Sequence, residues 1–438
     1  MCLAARGPAV RSGDAAGAAR MRLGIIGAGW AGLSAAVQAV QAGHEVTVFE
    51  AARTTGGRAR SLEVALPDGR GVRVDNGQHI LIGAYTEALR LMRAVGLAPE
   101  ATLRRLPLTL QFPDGAGLRL PDLPVPLDVL AGILGNRAWP LRERLGLLRA
   151  ALGWKLARFD CADTLSVAAL CAGLGPRVQA ELIEPLCVSA LNTPSAQASA
   201  RVFLRVLHDA LFAVRGGSQL LLPTVDLGAL FPQAAACWLQ ARGATVRTGH
   251  RVMALQREAT HWQVDQQACD AVLLACSSTE AARLAAPFAP AWAGEAQALR
   301  FEAITTVYAW APSARLPGPM LALRAGSEAP AQFVFDRGQL DGNAGLLAFV
   351  VSASQGEREQ LQAQVLQQAR VQMGLELQAV QTVVEKRATF ACTPGLRRPG
   401  PAVVPGLLAC GDYVEGPYPA TLEGAVRSGV AAARALRD

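Results

Sequence analysis

The sequence predicts an α/β protein with a Rossmann-like domain and an interleaved α+β domain. Three features indicate this fold. A short apolar strand at residues 22–26 leads directly into a glycine-rich turn and a helix, and a second apolar strand at residues 46–49 ends in an acidic residue. A third apolar strand followed by a helix lies near the C-terminus. A strand, a helix and a strand in this order form the βαβ unit of a parallel sheet.

The turn after the first strand has the GxGxxG arrangement and reads Gly27-Ala28-Gly29-Trp30-Ala31-Gly32. The first glycine permits the tight turn, the second lets the backbone approach a pyrophosphate, and the third lets the helix pack closely on the strand. The N-terminus of the helix then presents free N–H groups and its positive dipole end to phosphates. We therefore expect this turn, with Trp30 and Ala31, to bind a dinucleotide.

Glu50 ends the second strand, where a carboxylate accepts hydrogen bonds from both ribose hydroxyls. A carboxylate here disfavours a 2′-phosphate, so the site is not expected to bind NADP.

Composition excludes several classes of protein. The chain has 438 residues, of which 51% are apolar and 18% charged, and this length fits two closely packed domains. The net charge of +7 favours an anionic partner, but no basic cluster is interleaved with aromatic residues, so we expect no nucleic-acid binding. The nine cysteines and five histidines show neither disulfide nor metal-ligand spacing, so we expect no metal site and a reducing compartment.

We divide the chain into six segments. Residues 1–20 lack the apolar run of a signal peptide and are predicted to be a disordered extension. Three segments are assigned to the nucleotide-binding domain, namely 21–100, 216–290 and 391–438. The other two are assigned to a substrate domain: a mostly helical region at 101–215, and a sheet and helix at 291–390.

A second motif lies near the C-terminus. The strand at residues 407–412 ends in Gly411-Asp412, and residues 421–429 then lead into a helix. A helix N-terminus aimed at a ligand stabilises negative charge there.

Gly56, Gly57 and Arg58 follow the acidic end of the second strand. In combination, these motifs resemble the glutathione-reductase-like FAD families, which include the amine oxidases and carotenoid desaturases. The resemblance implies that Arg58 neutralises the FAD phosphates and that Asp412 binds the ribityl or pyrophosphate region. It also implies that backbone near Val252 contacts adenine. The flavin pyrimidine edge is expected to meet the backbone of Leu422, Glu423, Gly424 and Ala425.

A narrower resemblance covers residues 21–436 and is to the hydroxysqualene dehydroxylase family. It rests on the segments GAGWAGLSAA, TTGGRARS, VDNGQHILIGAY, EKRATF and GDYVEGPYPATLEGAVRSG. It implies reductive dehydroxylation of hydroxysqualene to squalene in bacterial hopanoid biosynthesis, with hydride transfer from reduced flavin to a long apolar isoprenoid. An electron donor is required, and the sequence does not identify it.

Three alternatives remain open. A carotenoid-type desaturase acts on a similar isoprenoid in the opposite redox direction. A flavin amine oxidase is disfavoured, because Thr421 stands where those enzymes place an aromatic residue, and because neither Lys155 nor Lys386 can be placed beside a flavin. A prenyl-lipid carrier of the GDP-dissociation-inhibitor type is disfavoured by the intact phosphate turn, Glu50 and Asp412.

Dehydroxylation requires a proton donor for the departing water and a dry pocket. The catalytic candidates are Tyr413, Glu415 and His79, and further donors are Asp336 and Tyr418. His79 lies in residues 72–82, which we predict to form a hairpin around an Asn-Gly turn.

The segment 141–158 is predicted to be a basic helix with apolar residues at helical spacing. Two interpretations remain open: a surface helix packed on the core, or a helix that contacts a membrane. The second predicts a peripheral protein on the inner, cytoplasmic face of the membrane.

Overall fold

The computed structural model describes residues 20–124 and 126–436. Most of the predicted N-terminal extension, residues 1–19, lies outside the described residues.

The strands follow the chain in this order: β1 (Arg22–Ile26), β2 (Glu45–Glu50), β3 (Ser61–Ala65), β4 (Gly71–Asp75), β5 (Leu81–Ile82), β6 (Leu103–Leu106), β7 (Thr109–Gln111), β8 (Gly117–Arg119), β9 (Leu220–Pro223), β10 (Thr245–Thr248), β11 (Leu255–Arg257), β12 (Trp262–Val264), β13 (Gln267–Cys269), β14 (Ala271–Leu274), β15 (Phe301–Trp310), β16 (Met320–Ala322), β17 (Phe333–Asp336), β18 (Leu346–Ser352), β19 (Gln378–Phe390), β20 (Ala402–Val404) and β21 (Leu407–Ala409).

The α-helices are α1 (Trp30–Gln41), α2 (Thr86–Ala94), α3 (Pro99–Thr102), α4 (Leu127–Gly135), α5 (Leu141–Leu156), α6 (Val167–Leu170), α7 (Pro176–Val178), α8 (Glu184–Leu191), α9 (Ala200–His208), α10 (Leu227–Leu230), α11 (Pro232–Gln240), α12 (Ser278–Ala285), α13 (Pro290–Gln297), α14 (Arg337–Leu340), α15 (Arg358–Met373) and α16 (Leu422–Arg434). Two π-helical turns, Gln179–Ile183 and Asp209–Ala213, adjoin α8 and α9.

A six-stranded sheet forms the centre of the nucleotide-binding part. Its order is β10-β2-β1-β14-β21-β20, and all neighbours are parallel except β20, which pairs antiparallel with β21. Strands from three distant stretches of sequence thus share one sheet, and the predicted α/β class is confirmed.

The first and last helices of this sheet pack against each other. Gly429 of α16 faces α1 so closely that an added Cβ would lie 2.1 Å from the carbonyl oxygen of Ala31. This contact brings the C-terminal motif to the N-terminal one.

A second, antiparallel sheet has the order β16-β17-β18-β15-β19 and carries α15 on one face. In sequence, the helical block from α4 to α9 lies between β8 and β9 and follows the short strands β6 to β8. Among the described residues, no helix is long and apolar enough to cross a membrane.

The predicted hairpin over residues 72–82 is wrong. β4 pairs with the preceding strand β3, with Val64 opposite Val72, and β5 pairs with β9 in another sheet. The hairpin turn is instead at 66–70, where Gly69 has a φ of 87° and donates to the carbonyl of Leu66. The segment 76–80 connects two sheets, and the amide of Asn76 donates to Glu385 of β19.

Candidate active site

A cavity of about 760 Å³ lies at the carboxyl ends of β1, β2, β14 and β21. Ligands of open α/β sheets bind at this edge. The wall includes most of the residues predicted to hold a dinucleotide: Gly27, Gly29, Trp30, Ala31, Glu50, Gly56, Gly57, Arg58, Val252, Gly411, Asp412, Leu422 and Ala425.

The glycines of the first turn have the predicted geometry. Gly27 has a φ of 112°, and an added Cβ would lie 2.5 Å from the carbonyl oxygen of Ala275. Gly32 is a packing residue outside the cavity wall, since its Cβ would lie 1.9 Å from the oxygen of Gly27. By contrast, a Cβ added to Gly29 would have no neighbour closer than 3.9 Å, the distance to Gly57. The space beside Gly29 at the start of α1 is therefore open to a ligand.

Glu50 is buried, and its carboxylate accepts hydrogen bonds from two backbone N–H groups. The distances are 2.7 Å to Ala28 and 2.8 Å to Ala52. These bonds fix the carboxylate at the end of β2, and its remaining lone pairs are free to accept from a ribose.

Arg58 and Asp412 join the two halves of the predicted flavin site. A guanidinium nitrogen of Arg58 lies 2.6 Å from the Asp412 carboxylate, and another donates to the carbonyl of Ala388. Burial opposes the charge of Arg58, but Asp412 outweighs this effect and raises the pKa of the guanidinium. A cation therefore stands on the wall where an anionic cofactor would lie.

Three buried polar atoms on residues of this wall have no hydrogen-bond partner within the described part of the chain. They are the indole nitrogen of Trp30, the hydroxyl of Ser278 and the hydroxyl of Tyr413. Buried polar groups are nearly always paired in a complete structure. These three unpaired groups, the open space beside Gly29 and the Arg58 cation fit a polar, phosphate-bearing cofactor such as FAD.

Two residues whose backbone is predicted to meet the flavin also have structural contacts. The fully buried carboxylate of Glu423 accepts from the backbone N–H groups of Glu87 and Ala88 at the start of α2, at 3.0 and 2.9 Å. Gly424 packs under a turn, where an added Cβ would lie 1.9 Å from the carbonyl oxygen of Tyr418. Neither lines the cavity.

The catalytic candidates separate into two groups. His79 and Tyr413 line the cavity, as does Tyr418. Glu415 is exposed and lies outside the wall, and Asp336 is buried elsewhere, where it caps α14 and accepts from Leu316. The structure therefore argues against Glu415 and Asp336 as proton donors to a substrate in this cavity.

His79 and Tyr413 are poor acids in this setting. Burial, reinforced by Arg58, lowers the pKa of His79, so its ring is neutral at pH 7. Because Nδ1 lies 2.9 Å from the carbonyl oxygen of Gly77, that nitrogen carries the proton and Nε2 is an acceptor. Burial also raises the pKa of Tyr413 well above its ordinary value, and within the described part of the chain its hydroxyl has no hydrogen-bond partner that could return a lost proton.

A polar cluster stands at another point of the wall, on the π-helical turn that follows α9. Asp209 of this turn accepts from Arg205 at 2.7 Å, and its second oxygen lies 2.7 Å from Nδ1 of His208. Tyr418 lies beside Asp209 and Arg205, with the Arg205 guanidinium 5.5 Å from its ring centroid.

Protonation states within this cluster follow from its contacts. Burial disfavours the charge of Asp209, but hydrogen bonds from Arg205 and His208 outweigh it and lower its pKa. Asp209 is therefore a carboxylate at neutral pH. Burial raises the pKa of Tyr418 despite opposition from Arg205, so Tyr418 carries its proton.

The rest of the wall is largely apolar and comes from the helical block and the second sheet. It includes Leu186, Val188, Leu207, Ile304, Met320 and Phe333. Both lysines of the chain are exposed, and neither lines the cavity.

Ser278 and Asp209 are two of the wall residues that the sequence analysis did not identify. Ser278 begins α12 directly after the Ser277 cap, whose hydroxyl accepts from Glu280, and the Ser-x-x-Glu pattern after a buried strand was an available signal. Asp209 had no such signal, because a π-helical turn has no distinct sequence pattern.

Comparisons with known proteins define the class. The chain matches the flavin containing amine oxidoreductase family over residues 30–437. It therefore belongs to this family of flavin-dependent oxidoreductases, and the family implies FAD as the cofactor.

Within that family, the full-length relatives share a more specific name. Hydroxysqualene dehydroxylases from Rhodopseudomonas palustris and Sinorhizobium fredii are 30% and 29% identical, and in each case the match covers 93% of this chain and 96% of the relative. Cyclohexylamine oxidase from Brevibacterium oxydans has the same fold, with a TM-score of 0.67 at 17% identity over 96% of this chain and 99% of that one.

Proposed function

We propose that this protein binds FAD and reductively dehydroxylates hydroxysqualene, or a closely similar allylic isoprenoid alcohol, to the hydrocarbon. The observation that carries this proposal is the composition of one cavity wall: both nucleotide-binding motifs at one end, apolar side chains elsewhere, and one polar cluster. The similarity to hydroxysqualene dehydroxylases over 93% of this chain supports this choice of substrate.

The cofactor would be held by the first glycine turn, Glu50, Arg58 and Asp412. Reduced FAD, when bound, supplies the hydride that replaces the hydroxyl.

The apolar wall would hold the isoprenoid and exclude water. An allylic hydroxyl leaves with formation of a delocalised cation, which bulk water would capture. A wall of leucine, valine and phenylalanine side chains removes that competing nucleophile.

Tyr418 is the proposed proton donor to the departing hydroxyl. Its phenol is protonated, it lines the cavity, and it adjoins the Asp209 carboxylate. His208 contacts the other oxygen of Asp209 and is 42% exposed, so the three residues form a route for a replacement proton from solvent.

The wall does not favour an amine oxidase, because both lysines lie elsewhere and Thr421 caps α16 by accepting from Gly424. A desaturase remains the enzymatic alternative, since the same wall suits a similar isoprenoid.

The test is a single turnover without oxygen. Purified protein with reduced flavin is mixed with hydroxysqualene in detergent, and flavin absorbance and lipid product are followed together. Stoichiometric squalene with flavin reoxidation is the expected result. Reduction of oxidised flavin by a saturated isoprenoid would instead assign a desaturase, and protein that binds no flavin would leave a lipid carrier.

A further inference from the structure

Most of the exposed large apolar side chains in the described structure lie in one region. Eleven such side chains are exposed among the described residues, and eight lie between Leu123 and Leu156. Their exposed fractions run from 41% to 76%. We call this set the leucine face; it consists of Leu123, Leu127, Leu130, Leu134, Leu141, Leu145, Leu152 and Leu156.

The leucine face is ordered by helix geometry. Leu127, Leu130 and Leu134 recur at helical spacing on α4, and Leu141, Leu145, Leu152 and Leu156 form a stripe along α5. Only Glu143 and Leu147 of α5 are buried, so this helix does not use its apolar stripe to pack on the core.

The two helices are held together independently of the leucines. The Arg144 guanidinium on α5 donates at 2.6 Å to the carbonyl of Leu134 at the end of α4. The buried Glu143 accepts from the backbone N–H groups of Arg177 and Val178, which anchors the start of α5 to the core. The leucine face is therefore presented on a fixed support.

Cations predominate among the exposed charges around the leucine face, and the exposed acids nearest in sequence, Asp122 and Asp160, lie just outside its two ends. Between residues 123 and 158, both acidic residues, Asp128 and Glu143, are buried. The exposed charged residues of this stretch are all cations, and within the described structure none of them forms a salt bridge: Arg137, Arg142, Arg149, Lys155 and Arg158. Leucines between unpaired cations match an anionic bilayer surface, with acyl chains below and phosphates above.

A second cavity lies beside this face. It has a volume of about 440 Å³, and its lining mixes apolar residues with polar ones. The apolar residues include Leu120, Leu123 and Pro124, and the polar ones are Asp122, Asp128, Arg215, Ser218 and Gln219. Leu108 and Ser218 line both this cavity and the larger one. The small cavity thus adjoins both the leucine face, through Leu123, and the larger cavity, which we call the flavin cavity.

We infer that the leucine face docks peripherally on an anionic lipid bilayer and that the small cavity is the entrance by which an apolar substrate passes from the bilayer to the flavin cavity. The docking surface does not depend on the identity of the substrate, whereas the entrance rests on the proposed function.

Sedimentation of the FAD-loaded enzyme with vesicles tests the docking surface. Vesicles of equal parts phosphatidylcholine and phosphatidylglycerol are compared with vesicles of phosphatidylcholine alone. We expect stronger binding to the anionic vesicles, and weaker binding when salt is added. The triple variant Leu145→Gln, Leu152→Gln and Leu156→Gln should bind at least about tenfold less tightly, and Arg149→Gln about fivefold less tightly.

Matched controls come from α15, on another part of the surface. Val371 is 71% exposed, close to the 76% of Leu156, so Val371→Gln is compared with Leu156→Gln. Arg358→Gln, also exposed, is the control for Arg149→Gln. Neither control should change vesicle binding.

Failure of the native enzyme to bind anionic vesicles, or equal binding by the triple variant, would overturn the inference. So would a dimer in solution that the triple variant converts to monomer without any vesicle binding, because the face would then belong to a second copy of this chain.

Turnover tests the entrance separately. The triple variant should reduce hydroxysqualene in detergent at the native rate but lose most turnover when the substrate is supplied in anionic vesicles. An equal loss of turnover in detergent and in vesicles would contradict the assignment of the small cavity as the entrance. If the native enzyme does not turn over hydroxysqualene even in detergent, the proposed function fails, while the vesicle-binding result still decides the docking surface.

Discussion

The Arg58 guanidinium and the Asp412 carboxylate lie 2.6 Å apart although 354 residues separate them in sequence. This ion pair joins the segment after β2 to the segment after β21, and both residues line the flavin cavity. The positive charge that faces the cofactor is therefore held by the chain's own C-terminal motif.

Arg58→Ala should weaken FAD binding. A hydrogen bond to a charged group contributes about 2 kcal/mol, so the Kd should rise roughly 30-fold. The measurement is a fluorescence titration of flavin-free protein. Asp412→Asn should have a smaller effect, because the amide oxygen still accepts from Arg58, and an unchanged Kd in Arg58→Ala would contradict the assignment of this wall to phosphates.

Tyr418→Phe should lower the rate of product formation roughly hundredfold, the contribution expected of a positioned general acid, with FAD affinity unchanged. Tyr85→Phe is the control, since Tyr85 also lines the cavity but lies away from the Asp209 cluster. The rate of product formation in a single turnover is measured for both variants and for the native enzyme. Equal rates in Tyr418→Phe and native enzyme would exclude Tyr418 as the donor.

Glu423→Gln should lower stability without changing FAD affinity. Its buried carboxylate caps α2 and pairs with Arg427 at 2.7 Å, so loss of the charge should cost about 1–2 kcal/mol. Urea denaturation and flavin titration on the same preparation measure both quantities. A large rise in the flavin Kd with unchanged stability would show that the Glu423 side chain contributes to flavin binding and would contradict its structural role.

Gly32→Ala should destabilise the protein, because the added Cβ would lie 1.9 Å from the backbone oxygen of Gly27. Overpacking of this kind costs about 1–3 kcal/mol, seen as a lower Tm. Gly146→Ala is the matched control, since no atom lies within 4 Å of its Cβ on α5. It should leave Tm unchanged or raise it slightly.

Asp75 should make stability fall as pH rises from about 4 to 6. Burial raises the pKa of this carboxyl to about 6, although Arg337 opposes the shift. Over that range the folded state binds more protons than the unfolded state, so raising the pH favours unfolding, by up to about 3 kcal/mol from this group.

Urea denaturation of native protein and Asp75→Asn across this pH range isolates the effect, since all other groups are common to both. The difference in unfolding free energy should change between pH 4 and 6 and be constant above. A constant difference throughout would contradict the raised pKa of Asp75.

The sequence predicted the features that depend on local geometry. The positive φ at Gly27 and the close helix packing at Gly32 both require glycine. The first motif could therefore be recognised from the sequence alone. The observed sheet confirmed the α/β class for the same reason, because its strands are short apolar runs that end at these turns.

Features that depend on distant partners were not predicted. Val72 pairs with Val64 because an earlier strand was available, although the Asn-Gly dipeptide suggested a later partner. Glu423 caps a helix more than 300 residues before it in sequence, as its bond to Ala88 shows, so the motif alone could not reveal this role. Asp209 lines the cavity from a π-helical turn, a geometry that has no distinct sequence pattern.

The contribution of the last strand and helix to the cofactor site has a consequence for biosynthesis. Asp412 and α16 leave the ribosome after every other described element, and β21 completes the pairing of β14 on its open side. A nascent chain that has not yet made α16 therefore lacks part of the proposed cofactor wall, and we expect it to retain flavin only once this helix has formed. Proteolytic loss of the final helix would release the cofactor even though the N-terminal glycine turn is intact.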